Sequence, residues 1–510
     1  MRLRDLLPQT VPVQIQGNVE VEISQLAYDS RQVKPGALFF ALPGSKNDGA
    51  HFIAQARARG AHAVVVPPGT VVTAGVTAIV CDNPRLLLGL MADRFSQSPS
   101  ARLTLIGVTG TSGKTTTTYL LEAIWQAMGW SAGVIGTVNY RYQGREFPAP
   151  FTTPEAVELQ DLLSTMAAQQ VSHVVMEVSS HALVQERVQG CRWDGVVFTN
   201  LGRDHLDFHS DLEDYFAAKS RLFLQALAAS PKADRFAVIN RDDPWGTILL
   251  SKPIPGRVLT YGLQPGATVS VRQVENSLQG LRGILQLSGE EVQFSSSLIG
   301  EPHLYNMLAA ATVAYALGVP AERIAAGIRD CTNVPGRLEA VAVGQPFTVL
   351  VDYAHKPDAL EKVLRSARQL TTCRLLTVFG CGGDRDRGKR PLMGEAAGRL
   401  SDVVILTSDN PRTEDPEQIL AEAEVGLIQA GQLKVTEAET LAALTQGYVV
   451  IADRRTAIRT ALAGAQPGDM VVIAGKGHED YQIIGTTKYH FDDREEVRTY
   501  LTTVYGEGQA

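Results

Sequence analysis

The stretch LTLIGVTGTSGKTT, residues 103–116, decides the fold of the central part of this chain. Its first seven residues are mostly apolar and β-branched, which predicts a buried strand. A glycine-rich turn follows, and the spacing of Leu120, Ile124 and Ala127 predicts a helix that begins near Lys114. Backbone N–H groups in such a turn, together with the positive end of the helix, bind phosphate.

The strand, turn and helix together predict a nucleotide-binding loop. The lysine would reach the β- and γ-phosphates of ATP, and a threonine hydroxyl would hold Mg²⁺. The predicted ATP-binding residues are Gly110, Thr111, Ser112, Gly113, Lys114, Thr115 and Thr116. Val108 stands where the usual loop has its first glycine, so an ordinary glycine-rich turn is the alternative.

The length of the chain, 510 residues, exceeds what one ordinary hydrophobic core holds. From Val64 onward, apolar β-branched runs alternate with Ala- and Leu-rich stretches, the pattern of α/β domains built on parallel sheets. The segments SPSA at 98–101 and VPGR at 334–337 are the predicted boundaries. We therefore expect three α/β domains, at residues 1–99, 100–334 and 335–510.

Charge and cysteine content argue against several classes of protein. The formal net charge is -7, whereas a general nucleic-acid binder has a basic excess. The five cysteines are scattered without a Cys-x-x-Cys pair, which predicts reduced thiols. No run approaches the roughly 20 apolar residues that span a bilayer, and we expect no signal peptide. These features predict a cytoplasmic protein.

Two more strands of the central domain are predicted to end in polar clusters. Residues 174–178 lead into Ser179, and residues 195–199 lead into NLGRDHLD. Strand ends beside a phosphate loop are where open α/β sheets bind ligands. Glu177 and His205 are therefore candidate ligands of a second Mg²⁺, and a structural polar role is the alternative for each.

Four buried strands predicted in the last domain also end in polar segments. They are residues 348–351, 375–379, 403–406 and 470–473, followed by DYAH, GGDR, SDNPR and GKGHE. Polar groups at four strand ends that share one edge of a sheet predict a binding cleft.

The chain resembles the Mur ligases, ATP-dependent amide synthetases of peptidoglycan precursor assembly. The strings TGTSGKTT, TTPE, MEVSSHAL, FTNLGRDHLD, VPGRLE, DYAHKPDAL and AGKGHED occur in the order of that family. The resemblance implies an N-terminal domain for a UDP-linked precursor, a central ATPase-type domain and a Rossmann-like C-terminal domain. It also implies ATP and Mg²⁺ as cofactors. We expect a monomer that acts on small molecules, with no nucleic-acid partner and no membrane span.

By this resemblance, the reaction adds meso-diaminopimelate to UDP-MurNAc-L-Ala-D-Glu through an acyl phosphate. The string DNPR at 409–412 resembles the version in members that accept meso-diaminopimelate, whereas lysine-adding members tend to lack its arginine. A guanidinium binds a carboxylate bidentately, and diaminopimelate carries a carboxylate at its far end. The same tetrapeptide stands at 82–85, so the position of 409–412 after a third-domain strand gives the string its weight.

The resemblance also implies roles for individual residues. The catalytic residues are Lys114, Glu177, His205, Lys219 and Asp352, and the metal ligands are Thr115, Glu177, His205 and a carbamylated Lys219. Asn306 and Arg337 join the ATP site. The precursor contacts are Ser30, Ser45, Lys46, Asn47, Thr152, Thr153, Ser179, Gln185 and Arg187. The amino-acid contacts are Arg385, Asp409, Asn410, Pro411, Arg412, Gly475 and Glu479.

Three alternatives stay open. One is the same ligation with L-lysine as the added amino acid. Another is a folylpolyglutamate synthetase, which shares the ATP domain and the chemistry, although the first domain and the segment around Arg412 argue against it. The third is a binding protein that keeps the phosphate loop and has lost turnover. The intact catalytic set argues against this last alternative.

Overall fold

The protein is described by a computed structural model at residues 1–44, 48–72, 75–435 and 445–506. Three large sheets follow one another along the chain, and each is covered by helices. The predicted α/β class with three domains is confirmed. Residues 45–47, among the predicted precursor contacts, lie outside the described residues.

The first sheet has five strands in the order β1-β5-β4-β3-β2, and only β1 runs antiparallel to its neighbour. The strands are β1 Gln14–Gln16, β2 Gln25–Ala27, β3 Ala37–Phe40, β4 Ala63–Val66 and β5 Thr77–Val80. The helices are α1 Leu3–Leu6, α2 Ile53–Ala58 and α3 Pro84–Phe95. All residues of β3 and β4 are buried, because both faces of a parallel sheet are covered.

The central sheet has eleven strands in the order β16-β15-β14-β13-β12-β11-β6-β10-β7-β8-β9. The strands are β6 Thr104–Thr109, β7 Ala132–Ile135, β8 Asn139–Tyr142, β9 Arg145–Pro148, β10 His173–Glu177, β11 Gly195–Phe198, β12 Phe236–Asn240, β13 Arg257–Tyr261, β14 Val269–Ser277, β15 Gly280–Leu287 and β16 Glu290–Ser296. The helices are α4 Lys114–Ala127, α5 Ala156–Ala168, α6 Ser180–Val184, α7 Leu212–Arg221, α8 Leu227–Ala229, α9 Pro244–Leu250, α10 Glu301–Ala316 and α11 Ala321–Asp330.

Strand β6 shows why the apolar run at 103–109 lies at the centre of this sheet. Ile106 and Val108 pack into a hydrophobic cluster that includes residues of α4, α10 and α11. Leu105, on the opposite face, packs into a second cluster that includes residues of α5 and α7. Successive side chains of a strand point to opposite faces, so an uninterrupted apolar run satisfies both clusters.

The third sheet has six strands in the order β17-β18-β22-β19-β20-β21, of which β17 is antiparallel. Its strands are β17 Glu339–Ala340, β18 Thr348–Asp352, β19 Leu375–Phe379, β20 Val403–Leu406, β21 Gly447–Val450 and β22 Met470–Ala474, and a separate hairpin contains β23 Tyr481–Ile484 and β24 Thr487–His490. The helices are α12 Pro357–Leu370, α13 Lys389–Leu400, α14 Pro416–Gln429, α15 Arg454–Gly464 and α16 Asp493–Tyr505.

The predicted strands are present, with ends that differ by about one residue from the predicted ones. Leu103 is buried but precedes the ladder, which begins where Thr104 pairs with His173. Asp352 extends β18 because its backbone pairs with Ala474. Apolar patterning reports burial, whereas the neighbouring strand decides where pairing begins and ends. Among the described residues, no helix combines the length and the apolar composition that a membrane crossing requires.

The third domain contains a fully buried ion pair. Arg454, at the start of α15, donates to Asp493, at the start of α16, through Nε at 2.8 Å and Nη2 at 2.7 Å. Both side chains have no exposed surface. The pair therefore joins two helices inside the domain, where neither charge reaches water.

We expect Asp493→Ala to lower the free energy of unfolding of this domain by about 3–5 kcal/mol, because the variant leaves the Arg454 charge buried without its partner. The matched control is Glu496→Ala, on the same helix as Asp493. This variant removes the partner of the half-exposed Arg455 of α15 and should lower the free energy of unfolding by less than about 1 kcal/mol. Urea unfolding followed by circular dichroism measures both. Equal losses in the two variants would contradict this account of the buried pair.

Candidate active site

The register of the central sheet brings three strand ends together. Glu177 of β10 pairs with Val108 of β6, and Phe198 of β11 pairs with Thr109 of the same strand. Because all three strands are parallel, their carboxyl ends meet at one edge of the sheet. The phosphate loop, Glu177 and the polar segment 199–205 therefore lie side by side, as predicted.

The loop at 110–113 has room only for glycine at its two ends. Gly110 has φ +145°, and a Cβ there would lie 1.9 Å from Thr199 Oγ1. Gly113 has φ +89°, and a Cβ there would lie 2.4 Å from Asn306 Oδ1. The predicted adenine-side residue Asn306 thus lies against the loop. Between the glycines, Ser112 N–H donates to Asn200 Oδ1 at 3.0 Å, and helix α4 begins at Lys114.

Two lysine side chains lie against this loop. Lys114 Nζ donates to the carbonyls of Gly110 at 2.9 Å and Thr111 at 3.1 Å, and Lys219 Nζ also donates to Gly110 O, at 3.0 Å. Burial, followed by the charge of Lys356, lowers the pKa of Lys114 to about 8. Burial and Lys114 hold the pKa of Lys219 well below its usual value. Lys114 is thereby placed to bind an anion such as a triphosphate, whereas the low pKa of Lys219 favours its neutral amine.

Glu177 is buried and accepts three hydrogen bonds. Its Oε1 accepts from Thr115 Oγ1 at 3.0 Å and from the Thr137 N–H at 2.9 Å, and its Oε2 accepts from Thr137 Oγ1 at 3.0 Å. A hydroxyl and a carboxylate side by side are the hard oxygen donors that suit Mg²⁺. Sequence reasoning missed Thr137, whose only signal is its place directly after β7 and Gly136. The buried Thr116 lies one residue further along α4.

His205 has a different environment from Glu177. It adopts φ +54°, and its Nε2 lies 2.8 Å from Asp204 Oδ2. Asp204 Oδ2 also lies 2.5 Å from Lys356 Nζ, which belongs to the third domain. Within the described ranges, no three His, Cys, Asp or Glu side chains are grouped to hold a metal ion. Metal binding by Glu177 and His205 would therefore need a further ligand.

Four of the predicted precursor contacts are joined by hydrogen bonds, and Thr152 lies next to them along the chain. Thr153 Oγ1 donates to the Glu177 carbonyl at 2.9 Å and accepts from the Ser179 N–H at 3.1 Å. Arg187 donates to the Thr153 carbonyl at 3.0 Å and to Gln185 Oε1 at 2.6 Å. These residues form one polar wall next to Glu177.

Thr152 and Ser30 occupy the two ends of the predicted precursor site. Thr152 Oγ1 lies 3.1 Å from Thr137 Oγ1, which links the wall to the carboxylate of Glu177. Ser30 lies in the first domain, where its buried hydroxyl donates to Gln55 Oε1 at 2.7 Å. Tyr28 donates to Glu158 Oε1 at 2.7 Å and so joins the first domain to α5.

Arg337 connects the third domain to the start of helix α4, directly after the phosphate loop. Its Nη2 donates to Thr115 Oγ1 at 3.1 Å, and its guanidinium lies over the Tyr353 ring, 4.6 Å from the centroid. Asp352, predicted to act on ATP, accepts from the Leu338 N–H at 2.7 Å and the Ala354 N–H at 2.8 Å. Asp352 thus holds the backbone next to Arg337 through Oδ2 and its own turn through Oδ1.

The four predicted strand ends of the third sheet meet at one edge, as predicted. Arg412, at φ +54°, donates from Nη1 to the Gly383 carbonyl at 2.7 Å. A Cβ on Gly382 would lie 3.0 Å from Arg412 Nη1 and 4.0 Å from Arg385 Cγ. The Arg412 guanidinium and the Cγ atom of Arg385 therefore both lie near Gly382. The half-exposed Arg385 also lies 3.9 Å from Asp207 of the central domain.

Asn410 follows β20 in the chain and Glu479 follows β22, and β19 lies between these two strands. Asn410 Nδ2 donates to Glu479 Oε2 at 3.0 Å. Burial, followed by the nearby Asp409, raises the pKa of Glu479. Gly475 has φ +123°, and its Cβ position is 3.6 Å from Asp409 Oδ2. The Pro411 carbonyl packs on Gly383, where a Cβ would lie 1.9 Å away.

Three family models match successive parts of the chain. They are Mur ligase family, catalytic domain, at residues 22–96; Mur ligase middle domain at 108–314; and Mur ligase, glutamate ligase domain, at 336–477. The UDP-N-acetylmuramoyl-L-alanyl-D-glutamate--2,6-diaminopimelate ligase of Geobacter metallireducens is 48% identical and covers 100% of each chain. The ligase with the same name from Synechococcus elongatus is 45% identical over 98% of this chain and 99% of that relative.

Solved structures agree with this assignment. A structure of UDP-N-acetylmuramoyl-L-alanyl-D-glutamate--2,6-diaminopimelate ligase is 34% identical, covers 99% of each chain and has a TM-score of 0.70. Mycobacterium tuberculosis folylpolyglutamate synthase complexed with ADP shares the fold at 19% identity, with a TM-score of 0.61 over 77% of this chain and 92% of that chain. Full-length relatives at this level of identity and a family model in each of the three sheet regions confirm the resemblance, and the chain belongs to the Mur ligase family.

Proposed function

We propose that this ligase joins meso-diaminopimelate to the D-glutamate carboxylate of UDP-MurNAc-L-Ala-D-Glu, at the expense of ATP. The observation that carries the proposal is the guanidinium of Arg412 next to Gly382, in a position where its charge lowers the pKa of Glu479, with the Cγ atom of Arg385 near the same glycine. Full-length relatives named as 2,6-diaminopimelate ligases support the same amino acid.

The far end of diaminopimelate explains why two charges of opposite sign are needed. That end carries a carboxylate and an ammonium group, whereas lysine carries the ammonium alone. Arg412 would bind the carboxylate through paired N–H donors, and Glu479 would accept from the ammonium. Without a carboxylate on the ligand, the Arg412 guanidinium would lose its partner. The arrangement therefore favours diaminopimelate over lysine.

The phosphate loop supports the first chemical step. The D-glutamate carboxylate attacks the γ-phosphorus of ATP, the bond to the bridging oxygen breaks, and ADP leaves with an acyl phosphate remaining. Lys114 and Arg337 would stabilise the charge of the transferred phosphoryl group, because this reaction needs positioning and charge neutralisation rather than a protein nucleophile. Mg²⁺, held by Thr115 and Glu177, would supply further neutralisation of phosphate charge.

The second step forms the amide bond. The amine of diaminopimelate attacks the acyl carbon, phosphate leaves, and the amine gives up a proton. The ion pair of Lys356 with Asp204 and the hydrogen bond from the Arg203 N–H to Asp358 Oδ2, at 2.9 Å, hold the third domain against the central one. This contact would bring the amino acid to the acyl phosphate and limit the access of water.

Lys219 has the properties that a carbamylated lysine requires. Its side chain is 1% exposed, and its depressed pKa favours the neutral amine that attacks CO₂. Addition of the amine nitrogen to the carbon of CO₂, with loss of one proton, converts the side chain into an oxygen anion. The nearby charges of Lys114 and Lys356 would stabilise that anion. A carbamate would also supply the further metal ligand that Glu177 and His205 need.

The likeness to folylpolyglutamate synthase, at 19% identity over 77% of this chain, is one of fold alone. The relative from Geobacter metallireducens, by contrast, matches this chain over its full length, including the first domain. A non-enzymatic ATP-binding protein has no use for a buried Lys219 beside the loop. We propose the cytoplasm as the location, because ATP and nucleotide-linked precursors are available there.

Phosphate release by the full chain tests the proposed reaction. With ATP, Mg²⁺ and UDP-MurNAc-L-Ala-D-Glu present, we expect release on addition of meso-diaminopimelate and little release with L-lysine. Release with lysine alone would keep the ligase and overturn the assignment of Arg412. No release with either amino acid would overturn the proposed reaction.

The substitution Arg412→Gln tests the carboxylate contact. We expect the KM for meso-diaminopimelate to rise about 10- to 100-fold, since hydrogen bonds between charged groups are lost. The KM for ATP should stay within about twofold of the wild-type value. Arg399→Gln, an exposed arginine of the same domain, is the matched control and should change neither constant. An unchanged KM for diaminopimelate in Arg412→Gln would contradict the assignment.

The carbamylation of Lys219 is tested by ¹³C NMR. Protein equilibrated with ¹³C-labelled bicarbonate should give a carbamate carbonyl resonance in its ¹³C NMR spectrum, and Lys219→Met should lose both this resonance and phosphate release. Lys232→Met, which alters a lysine paired with Asp194 away from the loop, is the control and should keep the resonance. A fully active wild-type protein without a carbamate signal would contradict the proposed carbamylation of Lys219.

A further inference from the structure

Lys476 is a buried lysine that the steps above do not use. It lies between Gly475 and Gly477, and its side chain has no exposed surface. Its Nζ donates to Asn410 Oδ1 at 3.0 Å and to the Tyr481 carbonyl at 2.8 Å, and it lies 3.1 Å from Asp409 Oδ1. The ammonium group thus makes two hydrogen bonds and one ion pair with oxygen atoms of the protein.

These contacts decide which way the Asn410 amide faces. Its Oδ1 receives the ammonium of Lys476 and also the Ile483 N–H, at 2.9 Å. Both groups can only donate, so the amide oxygen must face them. The amide nitrogen is thereby directed to Glu479 Oε2, at 3.0 Å. Lys476 thus acts on Glu479 through Asn410.

The position of Glu479 follows from this chain of contacts. One carboxylate oxygen, Oε2, accepts from Asn410, and Lys476 Nζ lies 4.0 Å away from the same atom. The other, Oε1, has the Tyr353 hydroxyl at 3.4 Å, a long contact that leaves room for a stronger donor. Burial and Asp409 raise the pKa of Glu479, and the charge of Lys476 opposes this rise.

We infer that Lys476 is a positioning residue for the added amino acid, which holds Asn410 and Glu479 so that Glu479 Oε1 can receive the ammonium group of that amino acid. The inference rests on the proposed function, because it takes the 409–412 and 475–479 segments as the amino-acid site. Lys476 itself does not touch the amino acid, since its side chain has no exposed surface and its ammonium group is surrounded by oxygen atoms of the protein. Its effect is on the orientation and the charge of Glu479.

The substitution Lys476→Met removes the ammonium and keeps the length of the side chain. We expect the KM for meso-diaminopimelate to rise about 10- to 100-fold, the size of a lost hydrogen bond to a charged group. The KM values for ATP and for the UDP-linked precursor should stay within about twofold. Lys434→Met is the matched control, because it removes a half-exposed lysine paired with Glu424 in the same domain and should leave all three constants unchanged.

The pH dependence separates positioning from a general loss of structure. Burial and Asp409 raise the pKa of Glu479, whereas Lys476, the hydrogen bond from Asn410 and Arg412 lower it, and Arg454 and the Tyr353 hydroxyl also face it. Without Lys476, the pKa of Glu479 rises further. In Lys476→Met, the KM for diaminopimelate should therefore fall as pH is raised, relative to the control variant at each pH. A structural defect alone would shift the constants for all three substrates without this slope.

Each outcome decides the matter. If wild-type protein releases phosphate with diaminopimelate but Lys476→Met has the control's KM values, or loses affinity equally for all substrates, the inference fails and the proposed function stands. If wild-type protein does not use diaminopimelate, both fail. If Lys476→Met does not fold, as judged by its melting curve, Lys476→Gln decides. That variant keeps an N–H donor but removes the positive charge, and it should raise only the KM for diaminopimelate, whereas the control's KM values would overturn the inference.

Discussion

Parallel pairing of β6 with β10 and β11 is the constraint on which the catalytic edge of the molecule depends. The register sets Glu177 opposite Val108, so that its carboxylate meets the hydroxyl of Thr115 at the start of α4. A shift of one residue in this register would turn Glu177 to the other face of the sheet. The same alignment brings Thr199 so close to Gly110 that no side chain fits there.

Charged side chains from two domains meet near the phosphate loop. The central domain contributes Lys114 at the loop, and the third domain contributes Arg337 and Lys356. Positive charges held this close repel one another unless anions lie among them. Asp204 offsets Lys356 in the protein itself, and the phosphates of ATP would offset the rest. The site thus becomes complete only where two domains meet.

The two copies of the tetrapeptide DNPR show that a short local sequence does not fix the role of its residues. In the first copy, Asn83 caps α3 by accepting from the Leu86 N–H at 3.1 Å, and Pro84 occupies the first turn. In the second copy, Asn410 lies at a strand end and bridges Lys476 and Glu479. Identical residues thus cap a helix in one place and join two charged side chains in the other, because different partners surround them.

The sequence by itself determined the elements whose signal is local. The apolar run ending at Thr109, the glycines of the loop and the helix from Lys114 were all predictable, because burial and backbone freedom are recorded in neighbouring residues. The motifs also identified the family and the strand ends that form each cleft.

Only the tertiary structure revealed the contacts of Thr137 with Glu177, of Lys356 with Asp204 and of Lys476 with Asn410. Each joins residues far apart in the chain, and no periodicity or spacing encodes such a pair. Sheet register and the contact between domains decide which polar groups meet, and a hydrogen bond forms only between atoms that these bring within about 3 Å of each other.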